Sequence, residues 1–291
     1  MVKVGLITPF DPWRGELCTC PPKYSLSPYV GCSHRCVYCY ASSYIRNFFL
    51  VREKKNFLLR LRKEVRKIEK GIFITMANST DPYLPQERKS RLTRESLKIL
   101  ANREVKIMIV TKSSLVVRDI DILKSFKKVV VSFSLTTLKK ELAERLEPSA
   151  PSPQERLEAM EKLSPYVNVV CRLDPLIYPL NIGEMEEIVK EVVHRGAKQI
   201  ITSTYKVRRD NFKRMVNSFP ECESIWRSLY LAQGEKKRGY IYLSEEMRKE
   251  LIEMVREVSL KYGVDFSSCR EGFAYLNTAK CDGSSFFDHD T

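Results

Sequence analysis

The strongest constraint on how this chain folds is a repeated alternation: short apolar runs, each followed by an amphipathic stretch, recur from about residue 28 to residue 205. The apolar runs at 72–76, 105–111, 129–133, 167–173 and 199–203 are rich in Val and Ile and end in polar or turn residues, as buried strands do. The first of them leads into Asn78-Ser79-Thr80-Asp81-Pro82, a loop. Between the runs the spacing becomes helical. Phe57, Leu58, Leu61, Val65 and Ile68 repeat with a helical period until Gly71, and further helices are expected near 93–100, over 153–163 and over 183–195. With one more strand just before Cys32 the pattern gives six strand–helix steps. Parallel strands joined by helices need right-handed crossovers, so the expected fold class is α/β, an open partial (β/α)6 barrel. Reacting groups in such sheets gather beyond the C-terminal ends of the strands.

The alternation stops near residue 206, after which helices dominate. The longest is expected over 244–262, with Ser244 as N-cap and Gly263 as its stop. The chain therefore divides into an N-terminal extension (1–27), the barrel (28–205) and a helical C-terminal appendage (206–291) packed on the barrel.

Cys32, Cys36 and Cys39 are separated by three residues and then by two. That spacing presents three thiolates to one corner of an iron–sulfur cube and leaves its fourth iron open, and thiolates suit an iron cluster electronically. The plainer reading, a structural zinc knuckle, wants four ligands, usually as two short-spaced pairs. No matching pair follows closely. Four other cysteines lie far apart in the chain, Cys18 and Cys20 before the barrel and Cys269 and Cys281 near the other terminus, at glycine- and proline-bearing turns. Together they suggest a second site that ties the ends together, holding an auxiliary iron–sulfur cluster or a tetrahedral zinc. The alternative is four unrelated reduced thiols. Cys222 is read as structural.

The chain carries 50 Lys and Arg against 36 Asp and Glu, a formal charge of +14. Between residues 46 and 70 ten basic residues face only Glu53, Glu64 and Glu69. Lys206, Arg208, Arg209, Lys213 and Arg214 form a second basic run, and Lys236, Lys237 and Arg238 a third. A nucleic acid, RNA or DNA, is the expected partner, because phosphate neutralisation dominates such binding; the alternative is solvated helix faces. No segment has the pattern of a secretory leader and no run of about 18 apolar residues occurs. The expected setting is cytoplasmic, with no membrane partner, and the nine cysteines read as metal ligands rather than disulfides.

With the aromatic Tyr38 just before its last cysteine, the motif resembles that of the radical S-adenosylmethionine (SAM) superfamily. The segments Asp81-Pro82-Tyr83-Leu84-Pro85-Gln86-Glu87-Arg88, Thr111-Lys112-Ser113, Arg118-Asp119, Leu146-Glu147-Pro148, Arg172-Leu173-Asp174-Pro175 and Cys269-Arg270-Glu271-Gly272 look like the spore photoproduct lyase-like group, also labelled DNA repair photolyases. The resemblance implies a [4Fe–4S] cluster on Cys32, Cys36 and Cys39 whose open iron holds the amino and carboxylate groups of SAM. It implies reductive cleavage to a 5′-deoxyadenosyl radical that abstracts hydrogen from a substrate, and an electron donor such as a ferredoxin or flavodoxin. A nucleic-acid base is the expected substrate, for repair or modification. The alternatives are a protein or small-molecule substrate and, from another class, a non-catalytic zinc-containing nucleic-acid-binding protein.

The same resemblance implies the cofactor-binding residues. Tyr38 would pack near the adenine, or simply cover the cluster. Ser79, Thr80 and Asp81 stand where the superfamily has a Gly-Gly-Glu-like segment for SAM's ammonium; alternatively, Asp81 only begins a turn. Lys112 would meet the carboxylate, and Ser132 or Ser134 the ribose or carboxylate. Arg172 and Asp174 share one face of a core strand, where two charges are costly unless paired or facing a cavity, which places them at the barrel mouth. For the catalytic role the sequence offers only Tyr83 and Tyr178 as radical relays or pocket walls, and Cys171 as a hydrogen donor. Alternation turns Cys171 toward the helices, which makes it a small buried hydrophobe.

Overall fold

The computed structural model describes residues 5–10, 17–76 and 79–288, so Asn78 of the loop read above lies outside the described residues. One sheet contains β1 (Thr8–Pro9), β2 (Tyr24–Leu26), β3 (Phe73–Met76), β4 (Lys106–Thr111), β5 (Val129–Ser134), β6 (Asn168–Leu176), β7 (Ala197–Thr204) and β8 (Asp265–Ser268). Spatial order equals sequence order, as crossovers of one hand require. β1 runs antiparallel to β2, and every neighbouring pair from β2 to β8 is parallel. The result is a partial barrel of the expected α/β class.

Two elements depart from the sequence expectation. The strand expected just before Cys32 splits: β2 ends at Leu26, and Tyr29–Val30 leaves the sheet to pair antiparallel with Arg52–Glu53. Pro28 between them has no N–H to donate to the ladder, which favours the break. The C-terminal segment is helical, as expected, but it also adds β8 to the edge of the sheet beside β7. The run Asp-Phe-Ser-Ser holds a single large apolar residue, so periodicity could not mark it.

Helices α1 (Phe57–Val65), α2 (Leu92–Ala101), α3 (Pro153–Leu163) and α4 (Met185–His194) connect the strands, and α5 (Arg209–Ser218) and α6 (Glu245–Lys261) follow. α1 buries Phe57, Leu61 and Val65 on one stripe and exposes Arg60, Arg62 and Lys63. Burying each such side chain stabilises by about 1.5–3 kcal/mol. α3 starts where the sequence says it should: Ser152 Oγ accepts from Glu155 N–H, Glu155 accepts back from Ser152 N–H, and Pro153 opens the first turn.

Strand side chains alternate between two cores. Outward residues such as Ile109, Val131, Phe133 and Cys171 pack under the helices. Inward Met108, Val130, Val170 and Ile201 enclose Phe287, carried by the turn Ser284–Phe287, so the C-terminal tail fills the barrel from within. Lys128 at the start of β5 holds the tail by donating to the Phe287 carbonyl at 2.6 Å. No helix among the described residues is long and apolar enough to cross a membrane.

Candidate active site

The cysteine loop begins at Gly31, whose φ of +85° is left-handed. A Cβ there would lie 2.5 Å from the Phe48 carbonyl oxygen and 2.7 Å from that of Leu50, so glycine alone lets the chain close over them. Cys32 N–H then donates to Phe48 O at 2.7 Å, and Val37 N–H donates to Leu146 O at 2.9 Å. The loop thus stands over the C-terminal ends of the strands, where Cys32, Cys36 and Cys39 line one cavity of about 210 Å³.

The chemistry of the loop fits an iron–sulfur cluster. Burial pushes the Cys32 thiol up to about 12 and raises Cys36 and Cys39, so the ligands stay protonated until a metal displaces the proton. Backbone N–H groups of Asp81 and His34 donate to the Cys32 sulfur, and those of Ala41 and Ser42 to the Cys39 sulfur. Such donors, with the nearby cations Lys112 and Arg214, suit sulfurs that share a net negative charge. Among the described residues no three His, Cys, Asp or Glu side chains are gathered closely enough for a single metal ion; the motif thiols surround a space instead.

Most of the predicted SAM-facing residues surround the same space. Asp81 Oδ1 accepts from Tyr83 N–H at 2.8 Å and from the Thr111 hydroxyl at 2.7 Å, and Oδ2 accepts from Lys112 N–H at 2.7 Å. It therefore forms the turn and also lines the cavity, beside Ser79 and Thr80. Burial would raise its pKa, but His34, with Nε2 at 3.2 Å though off line for a hydrogen bond, and the N–H donors hold it below the ordinary range. Lys112 Nζ lies 5.8 Å from the Tyr38 ring centre and 3.7 Å from Glu147 Oε1. Burial is the largest single influence and opposes its charge, but Glu147 together with the other acidic groups around it raises its pKa.

Glu147 was not among the expected site residues, yet it anchors one wall. It accepts from the Tyr38 hydroxyl, from the Thr136 hydroxyl at 2.7 Å and from Arg156, 2.5 Å from Oε2. Against burial, Arg156, Lys112 and the two hydroxyls lower its pKa to about 2. The available signal was a lone carboxylate ahead of a proline, in Leu146-Glu147-Pro148.

Arg172 and Asp174 share the inner face of β6 and pair at 3.2 Å. Asp174 lines the cavity and accepts from the Ser203 hydroxyl at 2.6 Å; Arg172 turns away from it to hydrogen bond with Cys269. Ser134 lines the cavity, whereas Ser132 lies beneath it, its Oγ buried with no partner among the described residues. Tyr83, Tyr178 and Cys171 are absent from the lining. Tyr83 donates to Asp119 Oδ2 at 3.1 Å within a network of Arg94, Arg118 and Glu87 that holds α2. Tyr178 is 38% exposed, and Cys171 is fully buried in the outer core.

The basic runs are sorted by burial. Lys206 is internal, 2.7 Å from Glu271, and forms part of the cavity wall. It is removed from the surface patch that the sequence suggested because a buried carboxylate claims it. Arg214 holds the cysteine loop, donating to the Cys39 and Val37 carbonyls at 2.7 and 3.2 Å. Lys55, Arg62, Lys63, Lys67, Lys213 and Lys236 stay exposed.

The four outlying cysteines do come together. Cys18, Cys20, Cys269 and Cys281 line a second cavity of about 170 Å³. Cys20 Sγ and Cys281 Sγ are 3.6 Å apart, and Cys18 is hydrogen bonded to Cys20.

The model of the family described as the radical SAM superfamily matches residues 26–192. An uncharacterized protein, ORF301, of Acidianus two-tailed virus is 26% identical over 260 residues, 82% of this chain and 80% of that protein. The uncharacterized protein MJ0683 of Methanocaldococcus jannaschii is 31% identical over 149 residues, 48% of this chain and 55% of its own. Among solved structures, spore photoproduct lyase complexed with dinucleoside spore photoproduct superimposes with a TM-score of 0.64 at 15% identity, covering 84% of this chain and 75% of that one. SuiB of Streptococcus suis bound to S-adenosylmethionine gives 0.53 at 14% identity, covering 84% and 50%.

Proposed function

Because the chain belongs to the radical SAM superfamily, we propose that it cleaves SAM reductively at the Cys32, Cys36 and Cys39 cavity and turns the resulting 5′-deoxyadenosyl radical on a nucleic-acid base. The observation that carries the first half is three thiols, Cys36 buried and Cys32 and Cys39 half-buried, facing one cavity with N–H donors on the Cys32 and Cys39 sulfurs. When bound on these thiolates, a [4Fe–4S] cluster supplies the electron that breaks a carbon–sulfur bond of SAM.

The protein's own part is to bind, orient and exclude water. Lys112, kept cationic by Glu147, meets the SAM carboxylate. The Ser79 and Thr80 carbonyls and the cavity-facing edge of Asp81 accept from its ammonium. Ser134 reaches the ribose, Tyr38 walls the adenine, and Asp174 with Lys206 borders the substrate end. Ser132 supports Ser134 from below, and Arg172 serves the second cavity. There Cys18, Cys20, Cys269 and Cys281 hold a second metal.

A polymer substrate is favoured by the exposed cations of α1 and by Lys213 and Lys236, and by the fold shared with a lyase whose structure holds a dinucleoside photoproduct. A base in a duplex would have to be unstacked to enter a cavity of about 210 Å³. The reductant is a ferredoxin- or flavodoxin-like donor. The setting is the cytoplasm, which keeps reduced the nine cysteines that form no disulfide among the described residues.

The test is 5′-deoxyadenosine formation by anaerobically reconstituted, reduced protein given SAM alone, with RNA and with DNA. Stimulation by one polymer, with binding that weakens steeply as salt rises, supports the reading and chooses between RNA and DNA. Turnover that neither polymer stimulates, with no binding at physiological salt, moves the substrate to a protein or small molecule. A zinc-only protein that makes no 5′-deoxyadenosine sinks the catalytic reading.

A further inference from the structure

We infer that Cys18, Cys20, Cys269 and Cys281 ligate a second iron–sulfur cluster, set one layer of side chains from the SAM cavity. The inference deepens the second-metal reading above and rests on it. The four cysteines come from segments up to 263 positions apart, and the fold delivers them to one place: Cys18 and Cys20 just ahead of β2, Cys269 just past β8, and Cys281 before the turn that plugs the barrel. Unrelated thiols would have no reason to share a cavity.

Three observations favour a cluster over a lone zinc. A zinc ion draws four sulfurs to about 2.3 Å from one point, whereas no three ligand-type side chains among the described residues converge that closely. The thiols instead border about 170 Å³, far more than one ion fills. This is the disposition of the motif cysteines too, which surround about 210 Å³ without converging on a point. Cys20, hydrogen bonded to Cys18 and 3.6 Å from Cys281, must part from both to admit a cube; the Cys20–Cys281 separation is also well beyond the length of a disulfide, about 2.05 Å.

The surroundings suit an anionic group. Lys23, 5% exposed, and Arg172 both face the cavity, and their internal partners Asp282 and Asp174 lie 2.5 and 3.2 Å away. A buried tetrathiolate cluster carries net negative charge and needs cations of this kind beside it. Tyr40, Val110 and Asp174 line both cavities, so these three residues form the wall between the two centres. Two clusters so close would couple magnetically when both are reduced.

The experiment compares iron, sulfide and zinc per chain, and reduced-state electron paramagnetic resonance, in anaerobically reconstituted full-length protein. The forms are the wild type, Cys32→Ala/Cys36→Ala/Cys39→Ala, and Cys18→Ser/Cys20→Ser/Cys269→Ser/Cys281→Ser. The expected counts are about eight irons in the wild type and about four in each variant, with no zinc and with a spin-coupled signal only in the wild type. About four irons in the wild type, all lost with the motif cysteines, would overturn the inference, as would one zinc per chain or a Cys20–Cys281 disulfide. If the four-serine protein does not fold, the motif variant decides by itself: about four irons uphold the second cluster and none refutes it. Iron unchanged in the motif variant and lost in the four-serine variant would instead sink the reading of the first site and leave this one standing.

Discussion

The two cysteine groups reach similar ends by opposite routes. Cys32, Cys36 and Cys39 fall within eight consecutive residues, and the loop that carries them is set by one glycine turn and a few backbone hydrogen bonds. Cys18, Cys20, Cys269 and Cys281 meet only after β8 has joined the sheet and the tail has entered the barrel. The first group is a local structure that the barrel supports; the second is a consequence of the whole fold. Local disruption should therefore damage the first and spare the second, while loosening the termini should do the reverse.

The largest expected effect is on chemistry. Replacing Cys32, Cys36 and Cys39 with alanine should reduce 5′-deoxyadenosine formation to the level without enzyme. Circular dichroism and the unfolding midpoint should change little, because the sheet does not depend on the loop. A collapse of the fold would show that the loop is part of the architecture and would erase the contrast.

Glu147→Gln attacks the same cavity through its supports. Removing one partner from a buried ion-pair cluster typically costs about 3–5 kcal/mol, and urea titration at pH 7 should show a loss of that order. The pH dependence follows from the sign of the shift. The folded carboxyl is depressed from an ordinary 4.5 to about 2, so its stabilisation is complete above the ordinary value and fades as pH falls toward 2. Wild type and variant should therefore converge in stability between pH 5 and pH 2; a constant gap would mean that the loss does not come from the charge of the carboxylate.

Gly31→Ala should have a smaller effect. A Cβ would meet two carbonyl oxygens at 2.5 and 2.7 Å in a left-handed conformation. Strain of this kind costs about 1–3 kcal/mol. The shift should appear as lower iron retention at the motif site during dilution, with the second site's iron unchanged.

How much of this was legible in the sequence depended on range. The apolar runs of β3 to β7, the helix over 153–163 and the alternation of Arg172 with Cys171 are encoded by neighbours, and the folded chain agrees with each. β8 was not legible because only Phe266 in it is large and apolar, and its place comes from pairing with β7. Lys206 looked like surface charge because its partner Glu271 lies 65 positions away. Glu147 and His34 escaped notice for the same reason: each is defined by atoms that the crossovers bring to it. Tyr83 lies within a motif near the cavity, yet its hydroxyl is claimed by Asp119, which no spacing rule foresees.

The smallest expected effect falls on Cys171, which also tests whether the facing of a strand residue decides its role. Cys171 and Arg172 are adjacent on β6, but Cys171 is fully buried under the helices while Arg172 faces the second cavity. Burial pushes its thiol up to about 12, so it stays protonated, inert and far from the metal-binding role of the other cysteines. Cys171→Ala removes one sulfur from a packed core and should cost about 1 kcal/mol. 5′-Deoxyadenosine formation and the ratio of product to 5′-deoxyadenosine should stay at wild-type values. A variant that still makes 5′-deoxyadenosine but no longer completes the substrate would mean that Cys171 reaches the cavity during turnover. The outer face of β6 would then be part of the active site, and the separation between the two faces of the barrel would fail.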